Sequence, residues 1–135
     1  MDLLEWTSLF LKHQDLLKKE ILTMTPREQG SLRVLDVQRK NRAEEWILSE
    51  VLSDALALLN KEKRQGIVCL NTKTNFDALV VNWPALSSHP TLKIVFANPR
   101  ANDRWTISPA HHAAIADKAS LKTGLQAMFE AVPQA

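Results

Sequence analysis

The chain has 135 residues, of which 45% are hydrophobic and 24% charged, and its 17 Lys and Arg against 15 Asp and Glu leave a formal charge of +2. That length fits one α/β domain, residues 1–135, with a full core, and the composition excludes wholesale disorder. The charge is too small to announce a nucleic-acid binder, so any basic patch has to be local.

Asp2 and Glu5 have the spacing of a capping box, and Leu3, Trp6, Leu9, Phe10, Leu16, Leu17 and Ile21 recur as one helical face. The spacing predicts a helix over residues 2–23, stopped by Pro26. Leu4, Leu11 and Leu22 form a second apolar stripe on it. A helix lying on one core needs one stripe, so the second points to another helix of the chain or to a partner subunit. A homodimer through helix 2–23 is one expectation.

Residues 31–37 are too few for periodicity to separate a strand from a helix starting near Pro26. Gly30 and two valines favour the strand. From Ala43, the residues Trp46, Ile47, Val51, Ala55, Leu58 and Leu59 share a helical face. Glu44 and Glu45 at its start and Lys61, Lys63 and Arg64 at its end suit a helix dipole. Residues 66–70 read as a buried strand containing Cys69, the single cysteine, which is expected to be reduced and buried. Thr74 and Asp77 repeat the capping spacing ahead of Phe76, Leu79, Val80 and Trp83, and Pro84 stops or kinks that helix. Residues 92–96 form the clearest strand, expected to be central with 67–70 as its parallel neighbour. A short turn after it forces 104–107 to return antiparallel. Ser108 and Pro109 open a last helical stretch, breakable between Asp117 and Ser120.

The resulting order, α-β-α-β-α-β-β-α, predicts a small three-layer, Rossmann-like sandwich with a mainly parallel sheet and an antiparallel last strand. The N-terminus lacks a basic, apolar leader, and no apolar run nears the roughly 18 residues that cross a bilayer. A cytoplasmic protein without membrane contact is therefore expected.

In open α/β sheets, ligands gather outside the carboxyl ends of the parallel strands. With the three strands parallel, Arg39, Lys40, Arg42, Asn71, Lys73, Thr74 and Arg100 converge on one basic rim, with two helix N-termini beside it. Such a rim predicts an anionic partner, a nucleotide or a nucleic-acid backbone. Three glycines leave no phosphate loop and no G-x-G-x-x-G turn, and no cofactor is legible. No metal-ligand set is evident either: His111 and His112 are adjacent on a helix and face apart.

Asp36, Gln38 and Lys40 carry a different chemistry. An acid or amide, a spacer and a lysine at a strand end resemble metal-dependent nucleases of restriction-endonuclease-like type. In those, carboxylates hold a divalent ion and the lysine stabilises charge on the phosphate. That core places a strand hairpin ahead of the motif, and a helix over 2–23 leaves too few residues for one. Three readings follow: a binding module with a basic rim, a metal-dependent nuclease, and a non-catalytic oligomeric scaffold.

Overall fold

The computed structural model describes residues 2–135, and of Lys118 the backbone alone. Asp2 caps α1 (Leu3–Gln14), its carboxylate accepting from the Glu5 N–H at 2.8 Å. The helix stops at Asp15 rather than continuing to residue 23. Asp15 turns its carboxylate onto the N–H groups of Glu20 and Ile21, both at 2.9 Å, and Lys19 takes a positive φ of 51°. The chain thereby reverses into β1 (Ile21–Gln29). Leu17, counted on the predicted helical face, is 96% exposed.

Gly30, with φ 63°, turns β1 into β2 (Leu32–Arg39), and a short turn leads to β3 (Ala43–Leu48). These three strands form an antiparallel meander. Then come α2 (Leu52–Ala55) with a single 3-10 turn, β4 (Gln65–Leu70), α3 (Lys73–Val81), α4 (Trp83–Ser87), β5 (Lys93–Asn98), β6 (Asp103–Ile107), α5 (Pro109–Ile115) and α6 (Lys118–Glu130). The six strands make one sheet in chain order.

The expected mainly parallel, Rossmann-like sheet is overturned. Among the described residues, only β3–β4 and β4–β5 pair parallel; the other neighbours are antiparallel. The error lies in residues 43–48, read as the start of a helix. Trp46, Ile47 and Leu48 are all buried, as in a strand covered on both faces, and such a run has no period of its own to reveal it. Further along, Ile67 stands opposite Ile94 in the parallel β4–β5 pair, and β6 returns antiparallel.

Side chains alternate across the sheet. Val34, Ile47, Ile67, Ile94 and Phe96 face the later helices, with Phe76, Leu79 and Phe129 packed on them. Leu35, Val37, Trp46, Val68 and Val95 face the other way, onto Trp6, Phe10 and Leu11 of α1. That second face has one helix for six strands. Six strands at about 4.8 Å spacing are roughly 24 Å across, and a helix is about 10 Å wide. Part of the face beside α1 therefore stays open.

The second stripe of the predicted helix does not form one surface. Leu11 is 1% exposed and sits in the core, Leu4 packs against the same cluster, and Leu22 lies on β1. The free edge of β1 carries Pro26 and a register shift between Ile21 and Thr23, features that discourage pairing with another strand. Leu11→Ala should cost about 2–5 kcal/mol, the range for truncating a buried leucine. A surface stripe predicts less than about 0.5 kcal/mol, so urea denaturation separates the two.

Candidate anion-binding cleft

The antiparallel course of β2 divides the predicted rim. Gln38 at its end stands opposite Ala43 at the start of β3. Arg39, Lys40 and Arg42 therefore lie at the N-terminal ends of the parallel strands. Asn71, Lys73, Thr74 and Arg100 follow the C-terminal ends of β4 and β5, at the opposite edge.

At that opposite edge the chain fills its own crevice. Asn71 is fully buried: its Oδ1 accepts from Trp105 Nε1 at 2.8 Å, and its Nδ2 donates to the Val132 carbonyl at 3.0 Å. Its own carbonyl accepts from the Ala135 N–H at 2.9 Å. Asn98, at the end of β5, donates to the carbonyls of Pro133 and Gln134 at 3.1 and 3.2 Å. Thr72, not Thr74, caps α3 by accepting from the Asn75 N–H. Lys73 pairs with Asp77, one helical turn on. Arg100 stands exposed in the β5–β6 turn.

The other end is built differently. Arg39, with 11% of its side chain exposed, donates from Nε to Glu44 Oε1 at 2.9 Å. Its Nη1 lies 3.8 Å from Asp15 and 3.9 Å from Glu20. Glu44 also accepts from Trp46 Nε1 at 3.1 Å and from Arg42 at 3.5 Å. Burial raises the Glu44 pKa, but the Trp46 and Arg39 hydrogen bonds and the charges of Arg39 and Arg42 outweigh it and hold the carboxyl below its ordinary value. The Trp46 ring lies flat on Gly66, where even a methyl group would collide with it.

Beside this unit, between α1 and the N-terminal ends of the parallel strands, lies a cleft of about 100 Å³. Phe10, Gln14, Trp46, Val95 and Thr106 line it together with Arg39, Arg42, Arg64, Lys93 and Glu44. Four cations thus surround one carboxylate, and that carboxylate is already committed to Arg39. Among the described residues, Arg64 and Lys93 form no ion pair, and both are exposed. The cleft can attract a small anion or a backbone phosphate. Arg64 reads in sequence as the end of a helix and Lys93 as the start of a strand. Recognising 43–48 as a strand is what would have placed them together.

Asp36 and Gln38 sit on the opposite sheet face, on the side of Val34. The hairpin that a restriction-endonuclease-like core requires is present after all, as β1–β2, and Asp36 stands directly opposite Glu45. Arg27 spans this carboxylate pair, with Nε 2.6 Å from Asp36 and Nη2 3.3 Å from Glu45. Lys63 adds a second cation 2.8 Å from Glu45. A guanidinium therefore holds the place where a nuclease needs a divalent ion. Gln38 donates to the carbonyls of Arg39 and Arg42 and staples the turn. Lys40 is exposed in that turn, its backbone N–H given to the Glu20 carbonyl. Among the described residues, no three His, Cys, Asp or Glu side chains group as metal ligands. Cys69 is fully buried, and burial pushes its thiol pKa well up, so it is no nucleophile.

Comparison of the chain with protein-family models, with curated proteins and with solved structures finds no match.

The Glu44 shift has a definite sign. A carboxyl held low in the folded state stabilises the protein above its unfolded pKa, about 4.3, and that contribution is lost as pH falls through the folded value. Glu44→Gln should therefore lower the denaturation midpoint at pH 7 yet lose less further stability on acidification than wild type. Parallel acid-side declines in the two proteins would show that Glu44 is not held low.

Proposed function

We propose that this chain is a cytoplasmic binding module for a phosphate-bearing partner, a nucleotide or nucleic acid, held in the cleft by Arg42, Arg64 and Lys93. The observation that carries this reading is the pair Arg64 and Lys93, free of ion pairs and facing a recess floored by Trp46 and Phe10. Arg39 acts as a positioning residue: it neutralises Glu44, which would otherwise repel the ligand. Of the predicted rim the ligand set keeps Arg42, with Arg39 positioning Glu44; Lys40 does not line the cleft, and Asn71, Lys73, Thr74 and Arg100 lie at the far edge. No helix among the described residues is long and apolar enough to cross a membrane.

The nuclease reading is less well supported, because Arg27 and Lys63 already neutralise Asp36 and Glu45. The scaffold reading loses its main support with the burial of Leu11.

Fluorescence anisotropy with labelled nucleotides, DNA and RNA tests the proposal. Arg64→Ala with Lys93→Ala should weaken binding with little change in melting temperature, since both side chains are exposed. The log–log salt slope should shrink by about 0.7–0.9 for each phosphate that the variant no longer neutralises. Wild-type protein that binds none of these probes at low ionic strength rules the proposal out.

A further inference from the structure

The cleft does not end at the cations. Phe10 is shared with a second recess of about 570 Å³ lined by Trp6, Leu9, His13, Pro99, Asn102 and Arg104. Together the two form a groove along the side of α1 that faces β5 and β6. Within it Trp6 and Phe10 stack, centroids 5.1 Å apart and planes 11° apart. The Arg104 guanidinium lies over the Phe10 ring with Cζ 4.8 Å from its centroid. Asn102, at a positive φ of 50° in the β5–β6 turn, accepts from Trp6 Nε1 at 3.2 Å and ties that turn to α1. Leu9, 54% exposed, forms the rim.

We infer that the groove takes a single-stranded nucleic acid, with a base stacked on Arg104 over Phe10 and the phosphates running to Lys93 and Arg64. This rests on the phosphate reading of the cleft and narrows it. A guanidinium held over an aromatic ring has its outer plane free, and such planes and rings are what unpaired bases stack on. A duplex hides its base faces within its own stack and cannot use that platform. Arg104 forms no ion pair among the described residues, so its charge is free for the strand. The dimensions agree. Arg104 stands opposite Ala97, four residues along β5 from Lys93. At about 3.3 Å per residue that is roughly 13 Å, or about four steps of a stacked strand at about 3.4 Å each.

The test is anisotropy titration at low salt with a twelve-nucleotide strand (as DNA and as RNA), its duplex, and an abasic strand of equal length. The base-bearing strand should bind at least about tenfold more tightly than the abasic strand or the duplex. Arg104→Lys keeps the charge and removes the plane; it should erase the preference for bases and leave abasic affinity within about twofold. Arg104→Ala should erase the same preference and also weaken the abasic strand. Equal binding of abasic and base-bearing strands, tighter binding of the duplex, or a preference that survives Arg104→Lys overturns the inference and leaves the phosphate reading standing. No binding by any strand or by free nucleotides removes both.

Discussion

Arg39 is the residue on which this arrangement hangs. It ends β2, yet its guanidinium reaches Glu44 on β3, Asp15 at the end of α1 and Glu20 at the start of β1. Two largely buried charges are costly to desolvate, and the gain from pairing them often does no more than offset that cost. Removing one partner is another matter, because it leaves the other charge buried and uncompensated, at a cost of about 3–5 kcal/mol. The pair's main effect is therefore geometric. Asp15 stops α1 by capturing the Glu20 and Ile21 N–H groups, Arg39 ties that turn to β3, and the stopping point of α1 decides how much of the sheet stays open. The pair also holds Glu44 against Trp46, so the floor of the cleft and the neutralisation of its one acid come from the same contact.

The rule that ligands collect at the carboxyl ends of parallel strands assumes an open crevice there. In this chain Asn71 follows β4 and Asn98 ends β5, and their amides hold the carbonyls of residues 132–134. Trp105 completes the seal through Asn71. The amides that would orient a ligand in an open α/β sheet are used up by the protein's own backbone. At the opposite end, among the described residues α1 is the one helix packed on that face, and a cleft lined by Gln14, Arg64 and Lys93 lies beside its last turn.

Much of the fold was legible where local chemistry decides it. The Asp2 cap, the Ser108–Pro109 helix start, the β5–β6 hairpin and the parallel β4–β5 pair each follow from a few residues. Two segments misled, for different reasons. Residues 15–23 carry leucines at helical spacing, but Asp15 captures two backbone N–H groups and ends the helix, a side-chain hydrogen bond that periodicity does not register. Residues 43–48 are a strand buried on both faces, flanked by charges that also suit a helix dipole. Misreading β3 made β2 appear parallel to its neighbours and carried Arg39, Lys40 and Arg42 to the wrong edge. The candidate site was thus legible in its residue types but not in its location, because one strand direction sets the location.

A formal charge of +2 argues against a nucleic-acid partner only if the charge is evenly mixed. It is not. Arg27 and Lys63 are tied to Asp36 and Glu45, and Lys73 to Asp77, away from the groove, while within the cleft Glu44 is tied to Arg39 and Arg42. Arg100, Lys40 and Lys61 also form no ion pair among the described residues, but exposed charges more than about 8–10 Å apart are largely screened from one another. Arg64, Lys93 and Arg104 stand along one groove beside apolar and aromatic walls. Low-dielectric walls concentrate the field there, so three cations in the groove attract a phosphate chain more strongly than the same three scattered over the surface. Net charge is therefore a poor guide for this protein: Arg64, Lys93 and Arg104, which form no ion pair among the described residues, line recesses beside the sheet face that α1 covers only in part.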